Sequence, residues 1–273
     1  MSNELVKGKD KKLIVTSVSE RIKEMQEQGM INFPPTYSAQ NALQSAWSVI
    51  QETRDINGRK ALEICTIASI SSALMNTVIQ GLNPLKNQIY YIVYGDQLKA
   101  TRSYFGTIAV VKRIPGVKDI FADVVYEGDK FLLSKHRGTW KIEEHSSGFE
   151  NINPDKIVAA YCTIEFDDGR EPYTEIMNME QIQRSWNKSR SSKRQTHKEF
   201  PDQMAKRTVI NRACKWFFST SNDQDLIMEA FTATGEQFEQ ETPQSEPEED
   251  SRLIEVNAAI LDELPEEDKK HER

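Results

Sequence analysis

Within residues 200–218, FPDQMAKRTVINRACKWFF, Arg207, Asn211 and Lys215 recur at every fourth position. On a helix that spacing sets three hydrogen-bond donors in one line. Like charges so placed give each other no support, which points to an anion from outside the helix. Pro201 and Asp202 make a helix start, and 203–218 contains neither Gly nor Pro. On a helical wheel Ala205, Val209, Ile210, Ala213, Trp216 and Phe217 share one broad face, and Arg207, Thr208, Asn211, Arg212 and Lys215 share the other. Lys206 falls inside the apolar arc. An ammonium there must snorkel, meet a carboxylate, or line a groove that holds an anion. A solvated basic face would leave the same pattern, but the run just upstream, NKSRSSKRQTHKE over 187–199, is also basic, polar and rich in Ser.

A second candidate cradle precedes it. Thr101 is expected to cap a helix over 101–114, with Arg102, Gly106, Ala109 and Arg113 on one face. Two arginines separated by small residues let a foreign backbone approach, and Arg102 would sit in the electropositive first turn. Ordinary helix packing at Gly106 is the competing reading.

Charge is unevenly spread over the 273 residues. The formal net is −7, yet residues 236–273 hold fourteen Asp/Glu against four Lys/Arg, leaving about +3 for residues 1–235. From Arg184 to Lys215 there are ten Lys/Arg and two acidic residues. A basic strip on a modestly charged body, followed by an acidic tail, is the footprint of a polyanion binder.

Several chemistries find no support. There is no GxxxxGK[ST] phosphate loop for ATP hydrolysis and no GxGxxG. His136, His145, His197 and His271 show no HExxH or paired metal spacing, and no Ser/His/Asp signature is present. Glu127, Asp129 and Lys130 come nearest to a nuclease cluster but fit a turn better. Cys65, Cys162 and Cys214 are too scattered for a disulfide framework or a zinc site, so a reducing compartment is expected. No apolar leader and no stretch of about 18 apolar residues is present, so neither secretion nor membrane insertion is expected.

The elements that must position the cations read as α+β: a curved antiparallel sheet with a β-hairpin, flanked by helices, plus a flexible acidic C-terminal tail. Residues 1–35 are expected to form an arm bearing Lys7, Lys9, Lys11 and Lys12 and a helix over 17–28. Residues 36–234 would be the core and 235–273 an acidic linker with a short helical tail for a partner. Helices are expected over 37–53, 61–80, 178–186 and 219–232, with Trp47 in the core. QIYYIVY at 88–94 reads as a strand, turned by Gly95-Asp96, and further strands are expected over 117–127, 139–145, 156–166 and 170–177. Tyr90, Tyr91 and Tyr94 alternate on the first strand; packing is the favoured role, base contact the other.

Two stretches together resemble the RecT single-strand annealing proteins of phages and prophages, distant relatives of Redβ. GLNPLKNQIYYIVYGDQLKA followed by FGTIAVVKRIPGVKDIFADVVYEGDKF is similar to that family's Gly-Leu-x-Pro approach to a hairpin, its Gly-containing helix ending in a basic pair, and its Val-x-Glu-Gly-Asp-x-Phe turn. MAKRTVINRACKWF resembles its Met-Ala-Lys-Lys/Arg-Thr helix. The resemblance runs from about residue 61 to 218. Tyr104-Phe105-Gly106 departs from the pattern, in which an arginine often precedes the glycine, and Arg102 is its expected substitute.

The resemblance implies an ATP-independent, non-enzymatic protein that coats single-stranded DNA and pairs it with a complement. With none of the motifs above, no cofactor and no metal are expected. The resemblance also implies rings or helical filaments, a phage exonuclease and a host single-strand-binding protein as partners, and the cytoplasm of a bacterial host. Lys206, Arg207, Asn211, Arg212 and Lys215 are the expected phosphate ligands, joined by Arg102, Lys112 and Arg113. Lys86, Asn87, Gln88, Lys99 and Thr101 bracket the hairpin as secondary candidates, and Arg190, Lys193 and Arg194 are expected to close over the second strand. A passive single-strand coat and a metal-dependent nuclease are the competing classes.

Overall fold

A computed structural model describes residues 10–188, 195–219 and 225–235. The architecture is α+β, with every strand pairing antiparallel. Helix α1 (Asp10–Glu27) begins seven residues earlier than the sequence suggested. It places Ile14, Val18, Ile22 and Met25, spaced by fours and a three, in the main hydrophobic core. It packs on α2 (Ala39–Glu52) and α4 (Ile67–Ile79), so this helix contributes to the core. Ser38 caps α2 by accepting a hydrogen bond from the Asn41 amide, and Trp47 is half-buried at the edge of the core.

The helix expected over 61–80 is two helices, α3 (Ala61–Ile64) and α4. Cys65 and Thr66 are extended, and Thr66 caps α4 by accepting from the Ser69 amide. The Thr66 amide donates to the Asp96 carbonyl at 2.9 Å, and the Leu98 amide donates to Ser69 Oγ at 3.1 Å. The break therefore serves tertiary contacts: it ties the start of α4 to the following hairpin. That hairpin is β1 (Ile89–Tyr94) and β2 (Gln97–Arg102), with Gly95 at φ 62° in the first turn position, as a type II′ turn requires. Its inner side chains Ile89, Tyr91, Leu98 and Ala100 are buried, and β2 lies on α4. The Tyr91 phenol lies 2.8 Å from Thr77 Oγ1, which makes it a core residue.

Strand β2 runs through Thr101 and Arg102, so the next helix starts later than expected. Ser103, not Thr101, caps α5 (Tyr104–Val111), accepting from the Gly106 amide. Strands β3 (Val117–Tyr126), β6 (Ile157–Phe166) and β7 (Tyr173–Asn178) form one sheet in the order β3-β6-β7. The strand expected over 139–145 is β5 (Thr139–Ser146). It leaves that sheet and pairs with β4 (Lys130–His136), a strand the sequence reading did not include.

Helix α6 (Met179–Lys188) follows the sheet, and α7 (Gln195–Glu199) leads into α8 (Pro201–Ser219). Helix α8 lies against β6, β3, β7, α5, α6 and α7. Met204, Ala205, Thr208, Val209, Ile210, Ala213, Cys214 and Phe218 are all buried, so apolar contact surrounds the helix rather than covering one face. Thr208 in particular turns inward: its Oγ1 accepts from Trp186 Nε1 at 2.8 Å and donates to the Met204 carbonyl. Trp216 turns outward instead, 54% exposed, stacked on Tyr173. Helix α9 (Asp225–Ala233) closes the core beside α4. The acidic tail and the lysines at 7 and 9 lie outside the described residues.

Candidate nucleic-acid interface

The cations singled out by spacing separate into two groups once the fold is in place. One group turns inward. Arg102, 5% exposed, lies with its guanidinium 3.5 Å from the centre of the Phe231 ring. Its NH1 donates to Gln80 Oε1, the Phe231 carbonyl and Thr234 Oγ1 at 2.8–2.9 Å, and its Nε donates to Thr107 Oγ1 at 3.1 Å. Gln80 Nε2 donates to Thr234 Oγ1, and the Arg102 amide donates to the Thr234 carbonyl. A phosphate cradle was expected here; the structure instead uses Arg102 as a clamp joining α4, β2, α5 and α9. The physical reason is the two extra strand residues, Thr101 and Arg102, which take Arg102 out of a helical first turn and point it into the core.

Arg113 behaves similarly. Its two terminal nitrogens donate to the Gln80 and Gly81 carbonyls at the end of α4, where a helix leaves carbonyls unmatched. Burial pushes its pKa down from the usual arginine value. Gly81 adopts φ 60°, and a Cβ there would collide with the guanidinium. Lys112 is half-exposed and ion-paired to Asp119 at 2.8 Å. Gly106 admits close approach, but of the chain's own backbone. A Cβ at Gly106 would stand 2.0 Å from the Gln88 carbonyl oxygen.

The second group stays at the surface, on α8. Lys215 is exposed and Lys206 half-buried, and neither has a carboxylate partner among the described residues. Lys206 thus snorkels out of the apolar surround. Arg207 is half-buried near α5. Burial raises the Tyr104 phenol's pKa, and the nearby Arg207 charge partly offsets this. The Tyr104 and Phe105 rings meet at a tilt with centroids 4.0 Å apart, and Phe105 is 41% exposed. Asn211 is half-buried on the same line. Arg212 is exposed, but its Nε donates to Glu175 Oε1 at 2.8 Å, so β7 already balances much of its charge. Glu175 Oε2 also accepts from Tyr173, the ring beneath Trp216.

Around the β1–β2 hairpin, Lys86 and Asn87 are exposed, with Asn87 in the left-handed region at φ 52°. The Asn87 carbonyl accepts from Ser103 Oγ, and Gln88 Oε1 accepts from the Asn83 amide. Both residues therefore have structural work in joining the hairpin to its neighbours. Lys99 is exposed with its ammonium 5.4 Å from the Tyr94 ring centre, and Thr101 is half-buried opposite Tyr90. Arg190, Lys193 and Arg194 lie outside the described residues.

Among the described residues no group of three or more His, Cys, Asp and Glu is placed to hold a metal ion, and no helix is long and apolar enough to cross a membrane. Asp129, named above as a turn residue, accepts hydrogen bonds from the Tyr126 amide at 2.8 Å and Asn151 Nδ2 at 3.0 Å. Burial pushes its carboxyl up, but hydrogen bonds from Ser147, Tyr126, Asn151 and His145 more than reverse this and hold it at about 2.

A search of curated proteins returned no match. A family model does match: that of the RecT family, over residues 40–249, from the start of α2 to beyond α9. That span covers most of the chain, including both basic groups and the whole sheet. The chain therefore belongs to the RecT family, DNA-binding proteins of recombination and single-strand annealing.

Proposed function

We propose that this protein anneals complementary DNA strands without ATP, holding single-stranded DNA by its phosphates along α8 in a ring or filament of identical subunits. The observation that carries this reading is the pair Lys206 and Lys215. They are ammonium groups on a helix with buried residues on every side, and no carboxylate among the described residues neutralises them. Arg207 and Asn211 share one line of the helix with Lys215, Lys206 emerges from its other side, and Tyr104 on α5 lies near Arg207 with Phe105 beside it. Contacts made to phosphates carry no base information, so binding is indifferent to sequence and weakens steeply with salt. A strand held by its backbone keeps its bases available. Correct pairing then supplies the driving force, roughly 1.4 kcal/mol per base-pair step from stacking. A phage exonuclease that produces the single strand and a host single-strand-binding protein that protects it are the partners such a role requires.

Two complementary labelled oligonucleotides, mixed without nucleotide triphosphate, test the proposal. Faster duplex formation with strands of unchanged length is expected, and Lys206→Ala with Lys215→Ala should remove most of the acceleration. Tight binding without acceleration would reduce the protein to a passive coat. Shortened strands would identify a nuclease.

A further inference from the structure

The β4–β5 hairpin is built unlike the rest of the molecule. Neither strand contains a buried residue, although a two-stranded hairpin in water is marginal without a packed face. Its base is nevertheless firmly pinned. Asp129, whose side chain is shielded from solvent, caps the β3–β4 turn, and His145 on β5 bridges it to β6: its Nε2 lies 3.4 Å from Asp129 Oδ2 and its Nδ1 3.0 Å from the Tyr161 hydroxyl. Phe131 stacks on Tyr161 with centroids 5.7 Å apart. From that base six residues of strand carry the chain outward, about 20 Å at roughly 3.4 Å per residue.

The tip has a distinct chemistry. Residues 135–141 read KHRGTWK: Lys135, Arg137 and Lys141, with His136 and Trp140, and no carboxylate. Arg137 at φ 50° and Gly138 at φ 86° turn the chain in two residues, as a type I′ turn does, and leave Arg137 exposed at the apex. Lys135 and Trp140 are cross-strand partners, with the ammonium 4.8 Å from the centre of a ring that is 38% exposed. Lys141 has one carboxylate nearby, Glu143 at 3.4 Å, which Ser134 also engages at 2.6 Å. Among the described residues Lys135 and Arg137 have none.

We infer that this tip is a second nucleic-acid contact, separate from α8, in which Lys135 and Arg137 hold the phosphate backbone of a DNA strand. The inference rests on the proposal that the chain binds DNA. A base pinned against β6, strand β5 lying beside β7, and an exposed, charged, aromatic apex suit a polyanion that runs past the hairpin tip. The apolar side chains, Leu132 and Leu133, lie nearer the base, and the apex itself is cationic, which favours phosphate over an apolar protein surface. A single strand and a paired duplex offer the same phosphates, so the two are separated by experiment.

The full chain and its Lys135→Ser/Arg137→Ser form would be titrated with a dT oligonucleotide and with a duplex of equal length over a salt series. Light scattering on the same samples reads assembly. With assembly unchanged, the slope of log affinity against log salt should become shallower by about 1.4 on the single strand or about 1.8 on the duplex. Whichever DNA shows the change identifies the strand held. Unchanged slopes on both, in a variant that still binds, would overturn the inference and leave the α8 reading intact. A change in assembly, with or without a change in slope, would overturn it in favour of a contact between subunits. Failure of the unaltered chain to bind either DNA would overturn both readings.

Discussion

Arg102 and Lys206 come from stretches that look alike in sequence, each with cations beside small residues on a helix, and the fold puts them to opposite uses. Around Arg102 the guanidinium is enclosed, and its donors are matched to Gln80, Thr107, Phe231 and Thr234. On α8 much of the helix is enclosed, and Lys215, Arg212 and Trp216 emerge while Lys206 is half-buried. The difference teaches that a cation's role follows from whether the protein's own acceptors or solvent lie at the end of its side chain. Helical spacing alone does not carry that information. Arg113 repeats the lesson at the end of α4, where the Gln80 and Gly81 carbonyls take up its two terminal nitrogens.

The sharpest way to break the comparison is Arg102→Ala. It strands several buried acceptors at once and should cost about 3–5 kcal/mol, read as a lower urea midpoint. DNA affinity per folded molecule should hold; a stable variant with weakened DNA binding would return Arg102 to the interface. Gly106→Ala comes next, since the added methyl meets the Gln88 carbonyl, a backbone atom that cannot swing away. A loss of about 1–3 kcal/mol is expected by thermal or urea unfolding. Asp129 gives a pH test. Its folded carboxyl titrates at about 2, below the ordinary 3.8. Its stabilisation is therefore complete above about pH 4 and lost as pH falls through 2. Asp129→Asn should be less stable at neutral pH and should lack that part of the acid-unfolding limb. The smallest effect on stability belongs to Lys215→Ala, within about 0.5 kcal/mol, because the side chain is exposed and makes no ion pair among the described residues.

Much of the fold was legible because local signals agreed with tertiary demands. Gly95-Asp96 between alternating apolar residues specifies the first hairpin, and the apolar spacing of Ala42, Leu43, Ala46 and Ile50 specifies α2. Where they disagreed, tertiary contact prevailed. The 61–80 run is apolar enough for one helix, yet the Thr66 amide is better matched by the Asp96 carbonyl across the hairpin. Strand β4 was missed because KFLLSKH alternates poorly, a consequence of the irregularity between Leu132 and Leu133 and of having no buried face. The Arg137-Gly138 dipeptide between two β-prone runs was the signal that could have revealed it. On α8 the cations were readable as donors. That Thr208 would turn inward and Trp216 outward was not, because α6 and β7, which set those choices, are distant in sequence.

Salt-dependent binding tests the central claim most directly. The affinity of the full chain for a dT oligonucleotide, measured between about 50 and 200 mM salt, would be compared with that of the Lys206→Ala/Lys215→Ala form. Loss of two phosphate contacts should make the slope of log affinity against log salt shallower by about 1.4, with the unfolding midpoint nearly unchanged. A slope equal to that of the unaltered chain would mean that the ammonium groups on α8 do not reach the DNA, and the account of this interface would be wrong.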